Sequence, residues 1–155
     1  WVVGVMALLH PHGGQAVAAG GVYSYKDGRT APDTINLVLE YPGEWNVTFE
    51  ATLVPGMSGA AIEFCGTEGR ALITRKQFEI YPVKSEKPAV VVKAEREITM
   101  DHVDNFLAMM RSRGLPNGDV LVGHRSAQAS HLGNISYVEK RRIKFDPVRE
   151  EILPL

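Results

Sequence analysis

Histidine and arginine side chains are the residues of this sequence whose types and spacing could carry binding chemistry. His124 and Arg125 stand at the start of a predicted helix, where the free N–H groups of a first turn could meet an anion or a sugar hydroxyl. The alternative is a hydrogen bond within the chain or to another domain. His131 follows seven residues later, about 10.5 Å along a helix axis, so His124 and His131 cannot share a metal ion. We predict that His124 and Arg125 lie on the substrate side of the protein.

Metal and nucleophile chemistry have little support elsewhere in the sequence. His10 and His12 flank a proline, but no Cys, Asp or Glu lies at ligand spacing from them, so we predict no metal site. The single cysteine, Cys65, cannot form an internal disulfide, and its place at a strand end favours a small core residue over a nucleophile. We predict no catalytic residue within this chain.

The composition excludes several classes of partner. Seventeen basic and eighteen acidic residues leave a net charge of -1, which offers no electrostatic basis for binding nucleic acid or an anionic membrane. No apolar run approaches the roughly 20 residues of a membrane helix. The 155 residues are enough for one core. We therefore expect a soluble, cytoplasmic protein with one domain over residues 1–155.

Strict alternation of apolar and polar residues marks the central strands. Apolar residues from Trp45 to Leu53 point one way, and Ile35 to Tyr41 alternate in the same manner. A three-residue loop that pairs Tyr41 with Trp45 places both apolar sets on one face, whereas a two-residue loop does not. The alternation therefore predicts a hairpin in one definite register.

Further strands continue this pattern along the chain. Residues 60–64 fit opposite Leu53 to Phe49, and the turn at 66–69 places Ala71 and Ile73 opposite Phe64 and Ile62. With 78–82 this predicts a five-strand antiparallel meander in one sheet. Additional strands are predicted over 16–25, where Gly20 and Gly21 indicate a bulge or a close backbone approach, at an edge over 89–93, and over 142–145.

After the strands, the spacing of the apolar residues changes to the repeat of an α-helix. Residues 1–9 match the end of a helix. Val103, Phe106, Leu107 and Met110 follow the i, i+3, i+4, i+7 spacing, with Thr99 as the expected N-cap. A second helix is predicted from about 119–122 to 138, with Ala129, Leu132 and Ile135 inward. The fold class is therefore α+β: a large, mostly antiparallel sheet with two C-terminal helices on one face.

The second face of the predicted sheet is less polar than a solvated face should be. Among its outward residues we single out the following as an oligomer face: Val38, Glu40, Thr48, Glu63 and Leu72. A broad flat face is self-complementary about a two-fold axis. We therefore expect a homo-oligomer that pairs sheet to sheet.

Several short motifs together resemble the C-terminal domain of the Gfo/Idh/MocA family of nicotinamide-dependent oxidoreductases, which act on sugars, inositols and related polyols. The resemblance covers nearly the whole chain and rests on residues 32–34, 41–45, 64–69, 102–107, 111–117, 122–127, 131–134 and 145–147.

The resemblance implies parts that this sequence lacks. A Rossmann domain that binds NAD or NADP and a catalytic Asp/His pair are expected upstream of Trp1, which itself stands inside an apolar run. The tripeptide Glu86-Lys87-Pro88 matches a catalytic motif of the family, but it follows the sheet instead of preceding it, so Lys87 inherits no role. We expect no cofactor site in this chain and an oxidoreductase as its parent. The competing hypothesis is a stand-alone, non-catalytic binding or assembly module.

Overall fold

The structure, a computed structural model, describes residues 14–43, 45–55 and 59–154, which group into two units. The strands are β1 Gln15–Gly21, β2 Thr34–Tyr41, β3 Trp45–Thr52, β4 Ile62–Gly66, β5 Gly69–Ile73, β6 Gln77–Pro82, β7 Val90–Lys93, β8 Ile143–Asp146 and β9 Glu151–Leu153. The helices are α1 Ile98–Ser112 and α2 Val120–Glu139. The helical ending expected over residues 1–9, His10 and His12 lie outside the described residues. A single domain over 1–155 stays a prediction.

The first unit is built on a five-stranded antiparallel sheet in the order β3-β2-β1-β8-β9. Its central hairpin has the predicted register, with Tyr41 opposite Trp45, and the rings of these two residues stack with centroids 4.3 Å apart. β1 pairs along its whole length with β2. The close backbone approach expected at Gly20 is confirmed, because a Cβ there would lie 2.3 Å from the Thr34 carbonyl oxygen.

Helix α2 covers the apolar face of this first sheet. The buried hydrophobic residues come from β1, β2, α2 and β8: Ala16, Leu37, Leu39, Ala129 and Ile143. Ala129 is buried as expected, and Leu132 and Ile135 pack against the same cluster. Gly133 faces Leu37, whose Cδ2 would lie 2.8 Å from an added Cβ. The apolar alternation of β2 thus supplies the core of the first unit.

Ser136 joins α2 to β1 through backbone groups. Its hydroxyl accepts the Ala18 N–H at 2.9 Å and donates to the Arg141 carbonyl at 2.8 Å, while only 1% of the residue is exposed. The Arg141 carbonyl lies just beyond the helix end, where carbonyl groups lack intrahelical partners. One side chain therefore satisfies two backbone groups, one in a strand and one after a helix.

The second unit contains a four-stranded antiparallel sheet in the order β4-β5-β6-β7. The predicted turn over 66–69 and its pairing are confirmed, with Ile62 opposite Ile73 and Phe64 opposite Ala71. Gly69 has a φ of +145°, and a Cβ there would lie 2.1 Å from the Tyr81 carbonyl oxygen. β7 lies at an edge, as predicted.

Helix α1 belongs to the second unit and begins two residues earlier than predicted. Its N-cap is Glu97, whose side chain accepts the Thr99 N–H, so Thr99 lies inside the first turn. Arg113 ends the helix in the left-handed conformation. No residue of α1 is buried, in contrast to α2.

The prediction that the five strands of the meander form a single sheet is wrong. β3 and β4 belong to different sheets, and the predicted pairing of 60–64 with Leu53 to Phe49 is not among the described ladders. The pairings joined by tight turns were correct, whereas β3 and β4 are separated by a nine-residue connection that does not fix a register. Strand β9 was not predicted, and the terminal strand begins at Ile143. Cys65 is exposed and is not a core residue.

The class itself is confirmed as α+β, with two antiparallel sheets and two helices among the described residues.

Replacing Ser136 by Ala should lower the free energy of unfolding by about 1–3 kcal/mol, because the buried Ala18 N–H and the Arg141 carbonyl lose their partner. Urea unfolding followed by circular dichroism measures the change. Ser130→Ala is the matched control, since Ser130 is exposed on the same helix and Ala has the higher helix propensity. Equal effects of the two substitutions would contradict the assigned role of Ser136.

Candidate functional site

The imidazole of His124 lies in a small polar cluster between α2 and the turn that precedes β9. Its Nε2 is 2.7 Å from Glu150 Oε1, and Gln128 Nε2 donates to the same carboxylate oxygen at 3.1 Å. The hydrogen bond from His124 is the main reason why the pKa of Glu150 lies below its ordinary value. About half of each side chain in the His124–Glu150 pair is exposed. The cluster is therefore open to a ligand.

Two groups contact Nε2 of His124, Glu150 Oε1 at 2.7 Å and Gln128 Nε2 at 3.1 Å, and the shorter contact with the carboxylate favours one tautomer of a neutral ring. An ionised carboxylate only accepts hydrogen bonds, so the 2.7 Å contact requires a hydrogen on Nε2. The lone pair of the neutral ring then lies on Nδ1. This atom can accept a hydrogen bond from a hydroxyl group outside the cluster.

The predicted contact between the first turn of α2 and a ligand at His124 and Arg125 needs a correction. The helix begins at Val120, so both residues lie in the second turn, beyond the N–H groups that lack intrahelical partners. Any ligand at this pair would meet the side chains. Arg125 is exposed and has no hydrogen-bond or ion-pair partner within residues 14–43, 45–55 and 59–154.

Asp33 organises the loop between β1 and β2. Its carboxylate accepts the N–H groups of Tyr25 at 3.0 Å, Ser24 at 2.8 Å and Tyr23 at 3.0 Å, and only 2% of the residue is exposed. These bonds, led by the Tyr25 N–H, lower the pKa of Asp33 from 3.8 to about 2. Asp33 is thus an ionised structural residue, already satisfied by its own chain.

Three residues of the predicted oligomer face lie on the first sheet. Val38 and Thr48 are opposite each other in β2 and β3, and both are exposed. Glu40 lies two residues after Val38 and forms an ion pair with Arg142, the residue just before β8. The structure therefore brings these three residues together on the face opposite the core.

The other two residues of the predicted oligomer face lie on the second sheet. Leu72 is opposite Glu63 in the β4–β5 ladder, and Glu63 Oε1 accepts Arg70 Nη1 at 3.0 Å. The Arg70 guanidinium stacks on the Tyr81 ring at 3.8 Å, and the Tyr81 hydroxyl donates to Glu79 at 2.8 Å. Since the two sheets are separate, the expectation that all five residues share one sheet is wrong.

One concave feature occurs at an end of the first sheet. A cleft of about 410 Å³ is bordered by the starts and ends of β1, β2, β8 and β9, with Tyr41 and Phe145 among its walls and Lys144 at its rim. Burial raises the pKa of Tyr41 to about 12, so its hydroxyl stays protonated at neutral pH. The cleft lies wholly within the first unit.

A metal site and a dinucleotide site each place requirements on the described side chains. Within residues 14–43, 45–55 and 59–154, no three His, Cys, Asp or Glu side chains are grouped to hold a metal ion. A dinucleotide site would need a Gly-rich turn between a strand and a helix. In the described chain the residues before α1 are Glu95, Arg96 and Glu97, which do not fit that requirement. Neither described helix is long and apolar enough to cross a membrane.

Sequence reasoning missed Gln128 and Glu150, the two partners of His124. Gln128 follows by four residues on the same helix, a spacing that indicates contact. Glu150 is 26 residues away and has a φ of +55°, in a turn that the sequence analysis did not predict although Asp146-Pro147 is a turn signal.

Comparisons with known proteins give matches at the level of structure. Neither a family model nor a curated relative matches the sequence. The UDP-N-acetylglucosamine 3-dehydrogenase GnnA from Acidithiobacillus ferrooxidans matches 88% of this chain with a TM-score of 0.71 and 14% identity. The WlbA dehydrogenase from Bordetella pertussis, in complex with NADH and UDP-GlcNAcA, matches 99% with a TM-score of 0.61 and 15% identity.

A third solved structure gives the same result. An oxidoreductase from Agrobacterium radiobacter, in complex with NAD+, L-tartaric acid and magnesium, matches 95% of this chain with a TM-score of 0.65 and 11% identity. The chain spans 44%, 43% and 47% of these three structures, less than half of each. It therefore has the fold of part of Gfo/Idh/MocA-type oxidoreductases, which confirms the fold that the sequence motifs implied.

Asp33 should make stability depend on pH between about 4 and 2. Its pKa in the folded state, about 2, lies below the ordinary 3.8, so its stabilisation is complete above pH 4 and is lost as the pH falls towards 2. Asp33→Asn should flatten this part of the curve of urea midpoint against pH.

Asp27→Asn is the control for this experiment. The pKa of Asp27 is also lowered to about 2, mainly by its hydrogen bond with Arg29, but this pair lies on the surface. In 1 M salt the contribution of the Asp27 pair should fade while that of Asp33 persists. Equal salt sensitivity at the two positions would contradict the buried role of Asp33.

Proposed function

We propose that this chain is the substrate-side and oligomerisation domain of an NAD(P)-dependent sugar or polyol oxidoreductase, whose cofactor domain lies outside the sequence. The observation that carries the proposal is the fold, shared over 88% and 99% of the chain with two dehydrogenases while the chain spans less than half of each. One of these is named as acting on a UDP-sugar, and the other was solved with NADH and UDP-GlcNAcA.

The polar cluster at His124 supports a role on the substrate side. Nδ1 of a neutral His124 accepts a hydrogen bond from a substrate hydroxyl, since Glu150 holds the hydrogen on Nε2. The neighbouring Arg125 presents a charged guanidinium with no ligand of its own in the described chain. A hydroxylated substrate that carries a negative group fits this combination.

The exposed sheet faces support the role in assembly. On the first sheet Val38, Glu40 and Thr48 are exposed, and on the second sheet Glu63 is exposed beside the partly exposed Leu72. Each face thus combines an aliphatic residue with a glutamate that is paired to an arginine. Paired charges are already partly neutralised, so such a surface loses less solvation on association than one of free charges. A homo-oligomer that buries these faces needs roughly 1,600 Å² in total.

The chain alone should bind neither NAD(H) nor NADP(H) and should show no turnover, because the dinucleotide requires a Gly-rich turn at a helix N-terminus. Isothermal titration calorimetry of the 155-residue chain, beside the longer protein read from the coding sequence upstream of Trp1, tests this expectation. Micromolar binding to the chain alone would overturn the proposal of a cofactor-free domain. A gene that begins near Trp1 would instead favour a stand-alone binding module.

Arg125→Gln in the longer enzyme should raise KM for an anionic sugar substrate about tenfold while kcat changes little, because the guanidinium binds the ground state and the transition state alike. The matched control is Arg75→Gln, which removes an exposed arginine of the second unit that also has no partner among the described residues. Steady-state kinetics measures both variants. Identical KM values for the Arg125 variant and the unmodified enzyme would remove Arg125 from the substrate side.

Replacing Val38 and Leu72 together by Glu should halve the mass of the oligomer, because two buried charges per copy would lack partners at the interface. Light scattering after gel filtration measures the mass, and the far-UV circular dichroism should stay unchanged. The control is the pair Val148→Glu and Leu115→Glu, which makes the same chemical changes at positions that are 89% and 76% exposed. A monomeric mass for the unmodified chain at tens of micromolar would contradict the interface.

A further inference from the structure

Helix α1 carries an apolar stripe that the rest of the second unit leaves uncovered. Its members follow the helical repeat and are 40–54% exposed: Met100, Val103, Phe106, Leu107 and Met110. An amphipathic helix of a soluble domain normally buries such a stripe. No residue of α1 is buried, whereas the comparable face of α2 contains Ala129, Gly133 and Ser136 in the core of the first unit.

Another face of α1 is already in contact with the segment that follows the helix. Asn105 Oδ1 accepts the Asn117 N–H at 2.9 Å, and the Cβ position of Gly118 lies 3.5 Å from the His102 ring. Asn105 and Met109 are accordingly only partly exposed. At 100° per residue these positions lie well away from the centre of the stripe, so the returning segment does not cover it.

Charges beside the stripe distinguish between the possible orientations of a partner helix. Asp104 and Arg111 lie seven residues apart along one border of the stripe. A second α1 packed in parallel would place Asp104 beside Asp104 and Arg111 beside Arg111. An antiparallel copy instead places Asp104 beside Arg111 on both sides of a two-fold axis.

Both charged groups have capacity for such a contact. Asp104 Oδ2 accepts Arg96 Nη2 at 3.1 Å, but a carboxylate offers about four acceptor sites. Arg111 is exposed and has no hydrogen-bond or ion-pair partner among the residues that the structure describes.

We propose that the α1 stripe binds the α1 stripe of a second copy of this chain, antiparallel about a two-fold axis near Leu107. Val103 of one copy then meets Met110 of the other at each end of the contact, with Phe106 and Leu107 at its centre. The flexible Met100 and Met110 side chains adapt to the gaps in a helix–helix seam. The interface is isologous, so every contact occurs twice.

The available area is sufficient for a specific contact at the lower end of the usual range. Five half-exposed side chains of these types offer roughly 500 Å² per copy, so the pair buries about 1,000 Å² in total. This interface is separate from the sheet faces proposed above. If both form, the chain assembles as a tetramer with two kinds of two-fold contact.

Phe106→Glu places a charge at the centre of the seam and should halve the mass measured by light scattering. Ala108→Glu, on an exposed face of α1 away from the stripe, is the control and should leave the mass unchanged. The same comparison in the Val38→Glu/Leu72→Glu background separates the two interfaces. There the chain should be a dimer that Phe106→Glu converts to a monomer.

A charge exchange tests the antiparallel geometry directly. Asp104→Arg alone and Arg111→Asp alone should each raise the dissociation constant about tenfold or more. Both changes in one chain should restore the assembly, and so should an equimolar mixture of the two single variants, in which every charge pair is complementary. Failure of both rescues would overturn the antiparallel contact.

Cover of the stripe by another part of the same chain would give a different result. Phe106→Glu would then lower the urea midpoint while the mass of the particle stayed the same, and this outcome would overturn the proposal. Circular dichroism of each variant establishes that a change in mass does not result from loss of the helix.

Discussion

The close approach of α2 to the first sheet depends on small side chains on both sides of the contact. Ala16 and Ala18 of β1 face this layer, and Ala129 and Gly133 line the helix. A Cβ at Gly133 would lie 2.8 Å from Leu37, so any larger residue there would push the helix outward. Only at this short separation can the Ser136 hydroxyl reach the strand backbone, and larger residues at these positions would separate both the apolar and the polar contacts.

The same contact explains why the sequence of α2 was difficult to interpret. Gly133 costs about 1 kcal/mol of helix propensity relative to Ala, so in the sequence alone it counts against a helix. The structure shows the reason for the glycine, since a Cβ at this position would lie 2.8 Å from Leu37 Cδ2. A glycine within a helical pattern is therefore ambiguous until its partner across the core is known.

Tight turns largely decided which pairings the sequence could predict. The hairpins through 42–44 and 66–69 have their expected registers, because a slip of one residue would turn apolar side chains to water. The nine-residue connection after β3 carries no comparable constraint, and there the prediction of one sheet was wrong. The contact between His124 and Glu150 was also beyond sequence reasoning, since it depends on a turn with a left-handed residue. Asp33 lies within residues 32–34, one of the motifs on which the family resemblance rests. Its role was not predicted, because the N–H groups that it binds are located only by the structure.

Ser136 also affects how the sheet meets other polypeptide chains. β1 pairs with β8 only at Gln15 and Ala16, so among the described residues no strand lies beside the backbone from Ala18 onward on that side. An exposed strand edge of this kind can template pairing with another chain, which is a route to aggregation. The Ser136 hydroxyl accepts the Ala18 N–H, so helix α2 satisfies the first backbone donor beyond the end of the β1–β8 ladder. Solubility of the folded first unit, and not only its stability, is thus linked to one buried hydroxyl group.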